Sequence, residues 1–181
     1  MKKLKFLVLT ITLILLSCER DDICAETTST TPRLIIEFYD VDNNDVLKNV
    51  PRLTVYGEGL LTEPPTSNVD ETLIYNDNNT NSIALPLLIG EEESETTIRF
   101  VLEKDTHLRL DDDVDTNSNE DILEISYTSE YVYVSRACGY KSVFNDIDVS
   151  RNADGDTWIS SIETLVTEIE NENNVHVYIY H

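Results

Sequence analysis

The densest run of metal-ligand chemistry in the chain is Asp113-Val114-Asp115-Thr116-Asn117-Ser118-Asn119-Glu120-Asp121-Ile122-Leu123-Glu124. Asp113, Asp115 and Asn117 stand at positions 1, 3 and 5 of an EF-hand-like loop. Glu124 stands at position 12, where a bidentate carboxylate closes a calcium shell. Calcium takes six to eight oxygens, and this run offers them locally. Two features count against it. Ser118 replaces the glycine that permits the sharp turn, and the flanks read as strands rather than helices. In a chain with 35 acidic residues, the plainer reading is a solvated acidic loop. No cofactor is therefore expected, with calcium as the alternative. Asn152-Ala153-Asp154-Gly155-Asp156 and Asp40-Val41-Asp42-Asn43-Asn44 also alternate oxygens, but Asn, Asp and Gly favour turns, and turns are what they predict.

Catalytic groups are sparse. The histidines are His107, His176 and the terminal His181. In strand alternation His176 faces away from Val175 and Val177, so it is expected at the surface or rim. No nucleophile elbow, His-Glu-x-x-His or phosphate loop is present. Ser126, Ser129 and Ser135 have no partner identifiable from sequence. Paired carboxylates for glycoside hydrolysis carry no information where acids are this abundant. No catalytic residue is assigned, and the expectation is a non-enzymatic binding or structural module, with a hydrolase as the lesser alternative. Tyr127, Tyr131 and Tyr133, and then Tyr178 and Tyr180, fall at alternate strand positions. With Trp158 they suit a carbohydrate or peptide surface, but such stripes more often pack a sheet, and packing is expected.

These groups must be positioned by strands. Arg33 to Val41, Arg52 to Tyr56, Leu73 to Tyr75, Ser82 to Ile89, Thr96 to Glu103, Ile122 to Tyr127 and Glu130 to Arg136 are short runs rich in β-branched and aromatic residues. Polar tracts separate them, including Asp42 to Asp45 and Asn76 to Asn81, both read as turns. Pro86 cannot donate to a ladder, so its strand is an edge or bulged one. This spacing argues for an antiparallel β-sandwich or barrel-like single domain. From Trp158 to Ile169 the apolar residues also fit helical intervals, so one short C-terminal helix is the alternative to two antiparallel strands there. Val175 to Tyr180 reads as a strand.

The N-terminus carries the clearest signal. Lys2, Lys3 and Lys5 precede an apolar run from Phe6 to Leu16 that is too short to span a bilayer, which takes about 20 residues. It ends in Leu15-Leu16-Ser17-Cys18, which resembles a bacterial lipobox. Residues 1–17 are read as a removed signal peptide and Cys18 as the lipidated first residue of the mature chain. The plainer alternative is an ordinary signal peptide with an incidental cysteine. Residues 18–32 read as an acidic, polar tether and 33–181 as the β domain. Two cysteines then remain. A Cys24–Cys138 disulfide is favoured by the exported compartment and the even count, while two free thiols or intermolecular pairing are the alternatives.

Removing 17 of the 181 residues takes away three lysines, so the net charge passes from −22 to −25. Such a field repels nucleic acid, and none is expected as a partner. The expected partner is the membrane, through the lipid on Cys18, with any protein or glycan partner unassigned. Glu19-Arg20-Asp21-Asp22 partly matches the acidic signal that sends Bacteroidota lipoproteins to the cell surface. The outer membrane is therefore expected, in either its periplasmic or its surface-exposed leaflet. Cys18-Glu19-Arg20-Asp21-Asp22-Ile23-Cys24, Thr31-Pro32-Arg33-Leu34-Ile35-Ile36, Ala137-Cys138-Gly139-Tyr140 and Val175-His176-Val177 together resemble a family of small flavobacterial lipoproteins, a domain of unknown function. That resemblance implies the export route and the paired cysteines, and it implies no activity.

Overall fold

The computed structural model describes residues 23–25, 28, 30–61, 72–109, 117–152 and 155–181. In β1 (Leu34–Asp40) the residues Leu34, Ile36 and Phe38 are fully buried while their neighbours are half-exposed. This is the period-two pattern of a strand with one face on a core. β2 (Asn43–Leu47) is exposed throughout, whereas β3 (Val50–Gly57) buries Val50, Leu53 and Val55. β4 (Leu73–Thr80) and β5 (Ser82–Leu85) follow, with β5 ending just before Pro86. β6 (Glu95–Lys104) leads through a 3-10 turn at Thr106–Leu108 towards β7 (Asn119–Ser135) and β8 (Gly139–Asn152). Three short strands close the chain: β9 (Ser161–Thr164), β10 (Glu168–Ile169) and β11 (Val177–Tyr180).

Two curled sheets pack face to face as a sandwich or half-barrel. One runs β2-β1-β11-β9, with β5 sharing the β2 edge of β1. The other runs β10-β8-β7-β6-β3-β4. Pairing between named strands is antiparallel except for β1 with β11, which run parallel from Ile36↔Val177 to Tyr39↔Tyr180. Between the sheets, Leu34, Ile36, Phe38, Val177 and Ile179 face Leu53, Val55, Leu102, Leu123, Ile125 and Phe144. Each such buried side chain contributes roughly 1.5–3 kcal/mol.

Several expectations change. The Asp42–Asp45 tract is not all turn. Asp42 N donates to Asp40 Oδ1 in a tight bend, and Asn43–Leu47 already forms β2. The Asn76–Asn81 tract is mostly strand, because its polar groups form part of the pairing themselves. Asp77 N donates to Thr54 Oγ1, and Arg52 N donates to Asn79 Oδ1. The runs from Ile122 and from Glu130 are one 17-residue strand with a register shift at Ser126/Thr128. The helical alternative over Trp158–Ile169 is not taken. β9 pairs antiparallel with β11, and β10 joins β8 in the other sheet. The crossover between the sheets is pinned by buried Asp121, whose Oδ2 accepts the Trp158 and Ile159 amides at 3.0 and 2.7 Å. Trp158 Nε1 donates to Leu102 O.

Candidate functional site

β7 and β8 outrun the sheet that holds them. β6 begins at Glu95, opposite Thr128, so β7 continues beyond that point with β8 as its only ladder neighbour among the described residues, apart from a bridge between Glu92 and Ser129. On one face of this two-stranded extension Tyr131 lies opposite Ser142 and Tyr133 opposite Tyr140. Residues two apart, and residues directly opposite, share a face. Tyr131, Tyr133 and Tyr140 are 44%, 55% and 68% exposed. Tyr133 and Tyr140 meet edge-on with centroids 5.4 Å apart. Tyr131 OH donates to Gly90 O, in the loop that also carries exposed Leu88 and Ile89. Exposed apolar surface of this kind marks an interaction site more reliably than scattered single residues do.

The tip of the hairpin is fixed covalently. Cys24 and Cys138 form a disulfide across 114 residues of sequence. Cys138 N donates to Ser135 Oγ, which tightens the same turn. Ser142 N donates to Thr31 Oγ1. The segment read as a tether is attached at two points, through Cys24 to the β7–β8 turn and through Thr31 to β8.

The ionisable groups behave differently. Glu103 is fully buried; it takes Arg109 Nε at 2.6 Å and Nη2 at 3.1 Å, and Ser118 Oγ at 2.6 Å. The hydrogen bond to Glu103 raises the Arg109 pKa further. His176 is buried, which corrects its expected surface position. Its Nδ1 accepts the Ile35 amide at 2.9 Å, and Nε2 lies 3.0 Å from Asn171 O. Because Nδ1 accepts, the ring is neutral with its proton on Nε2, and burial pushes its pKa down. The ring thus continues the β1–β11 ladder in place of a main-chain group. His181 is likewise buried with its pKa lowered by desolvation, and packs edge-on against Phe38 and Trp158.

The sequence-derived site residues divide accordingly. Glu124 sits in β7 opposite Arg99 and is ion-paired to it at 2.6 Å. Asn117 borders a cleft with Arg109, Ser118 and Asp156. Asp113 and Asp115 lie outside the described residues, as does Cys18. Among the described residues no three His, Cys, Asp or Glu side chains form a metal-holding group. Ser129 Oγ accepts the Gly90 amide and Ser126 Oγ meets Thr97 Oγ1, so both serve the fold. The packing expected of the tyrosines holds for Tyr127, buried with its hydroxyl donating to Leu88 O, and for Tyr178 and Tyr180, whose rings pack at a tilt against Tyr39. It fails for Tyr131 and Tyr133. Tyr140 had no signal in the sequence, because its partner across the ribbon is visible only once β8 is paired.

No curated protein and no solved structure matches this chain. The sequence profile of a family of unknown function, DUF6452, matches residues 52–181, from within β3 to the last residue, so the chain belongs to that family.

Proposed function

We propose that this chain is a lipid-anchored, non-enzymatic module of the bacterial cell envelope. It is exported, cleaved after Ser17 and held in the outer membrane by diacylglycerol on Cys18. The observation that carries the reading is the Cys24–Cys138 disulfide. Structural disulfides form and persist in exported compartments and are rare in the cytosol. This one lies six residues beyond the lipobox-like cysteine. The fate of the ionisable groups supports a non-enzymatic role. Glu103, Asp121 and His176 are each engaged in a fold contact, whereas a catalytic centre gathers perturbed groups in one cleft. The acidic balance turns nucleic acid away.

The test is the mass of the N-terminal fragment of the full chain purified from membranes. The expected fragment begins at Cys18 and carries diacylglycerol and an amide-linked acyl chain. Cys18→Ser should leave the signal uncut and remove the lipid mass. A fragment beginning at Met1, or an unmodified Cys18, refutes the reading.

A further inference from the structure

The tyrosine face lies at the end of the β7–β8 hairpin to which Cys24 is bonded. Cys24 is bonded to Cys138 at the hairpin tip, and Thr31 meets Ser142 further down β8. Cys24 therefore stands at the tip and Thr31 nearer to β1. Cys24 is six residues on from Cys18 in sequence. Fully extended, that length spans at most about 22 Å. The headgroup layer beside an acyl chain on Cys18 is roughly 5–8 Å thick. The disulfide therefore keeps the hairpin tip within one short tether of the bilayer.

Charge points the same way. Tyr131–Lys141 itself contains Arg136 and Lys141 and no acid, in a chain of 35 acidic and 13 basic residues; Lys141 Nζ donates to Glu170 O, and the carboxylate that meets the face, Glu92, accepts the Tyr131 amide at the end away from the tip. An anionic leaflet repels the acidic surface and accepts a basic one. Tyrosine, with an apolar ring and a polar hydroxyl, is enriched at membrane interfaces for that reason. Three such rings stand exposed on one face of a two-stranded ribbon.

We propose that the Tyr131, Tyr133 and Tyr140 face is a membrane-docking surface, seated in the phospholipid headgroup layer that holds the Cys18 lipid. The domain stands upright behind it. The proposal rests on the lipid anchor argued above and adds an orientation to it.

The experiment uses the full lipidated chain in phosphatidylethanolamine and phosphatidylglycerol vesicles, with lipids brominated near the headgroup as quenchers. Tyr140→Trp places a reporter on the face. Ser150→Trp places one on the exposed side of β8, ten residues away, roughly 33 Å at a strand's rise. Buried Trp158 is a constant background. The added emission of Tyr140→Trp is expected to be lost to the brominated lipid while that of Ser150→Trp is kept. Adding Tyr131→Ser and Tyr133→Ser should restore the Tyr140→Trp emission without releasing the protein. N-terminal mass and vesicle flotation read the anchor separately. A lipidated, floating chain whose Tyr140→Trp emission is untouched overturns the docking face and leaves the anchor standing. Equal quenching at both positions overturns it as well. A Tyr140→Trp signal that answers to soluble glycan or peptide but not to brominated lipid overturns it in favour of a soluble ligand. A chain without lipid removes the anchor and the docking face together.

Discussion

The two ends of the β7–β8 hairpin treat side chains in opposite ways. At the Asn119 end, carboxylates lie inside: Glu103 and Asp121 are fully buried, one against Arg109 and Ser118, the other against the Trp158 and Ile159 amides. At the Ser135 end, aromatic rings lie outside, on Tyr131, Tyr133 and Tyr140. The cause is the number of neighbours. The near end has β6 beside β7 and the second sheet across the core, so a polar group there must be paired. At the far end, among the described residues, β7 has β8 as its ladder partner apart from the Glu92–Ser129 bridge, and its rings meet solvent. Glu103 and Asp121 thus serve the scaffold. The uncovered rings are the ones left accessible at the surface.

The largest effect should come from cutting the far end loose. Cys24→Ser with Cys138→Ser removes a cross-link over 114 residues, expected to lower stability by about 4–5 kcal/mol in the chain-entropy model. Urea unfolding of the oxidised and doubly substituted proteins measures it. A loss below about 1 kcal/mol would mean that the tip is held by packing and not by its covalent tie. The near end should answer next. Glu103→Ala leaves the Arg109 charge without its buried partner, at about 3–5 kcal/mol. Glu103→Leu with Arg109→Met should recover most of that. If the double replacement is as costly as the single one, the ion pair is not what makes this end rigid.

The sequence announces these two ends unequally. β1 is legible because Leu34, Ile36 and Phe38 alternate with the less buried Ile35, Glu37 and Tyr39, and β6 because Ile98 and Phe100 alternate with Thr97 and Arg99 before the apolar run of Val101 and Leu102. β4 is hidden because Asn and Asp look like a turn even when Thr54 and Asn79 hydroxyl and amide oxygens take up strand amides. β8 is hidden because Asp146, with φ at 55°, breaks the alternation between Phe144 and Ile147. The disulfide can be reasoned out from compartment and count. The exposed tyrosines cannot, since their exposure depends on where β6 begins. His176 misleads for a similar reason. Its burial follows from the parallel pairing of the first strand with the last, which no local pattern encodes.

Acid should weaken the scaffold through that histidine. Its Nδ1 faces the Ile35 N–H, and a second proton there would set donor against donor. Its pKa is lowered from 6.5 by burial, so as pH falls the unfolded chain binds the proton first. Stability is then complete above about pH 6.5 and declines below it until the folded-state pKa is reached, by at most about 1.4 kcal/mol per pH unit for one histidine. His181 shifts in the same direction and adds to the slope. Glu172, lowered mainly by its hydrogen bond with Arg33, loses its contribution only in more acid solution. Thermal midpoints from pH 7.5 to 5 test this. His176→Gln should flatten the decline, and an unchanged slope would remove His176 from the account.

The smallest effect separates the two ends most sharply, because it compares one residue type with itself. Tyr127 and Tyr133 are six residues apart in β7. Tyr127 is buried against Phe144 with its hydroxyl bonded to Leu88 O, and its pKa is pushed up to about 12 by that burial. Tyr133 keeps over half its surface and one edge-on contact with Tyr140. Truncating a buried aromatic costs about 3–5 kcal/mol, so Tyr127→Ser should fall in that range. Tyr133→Ser should lose no more than the aromatic pair, about 0.5–1.5 kcal/mol. Denaturant midpoints of the two variants decide it in the unanchored and the anchored protein alike. If Tyr133→Ser costs as much as Tyr127→Ser, the far end belongs to the core and the contrast between the two ends collapses. If it is nearly free, the chain exposes three aromatic rings without needing them for folding, and their reason lies outside the fold.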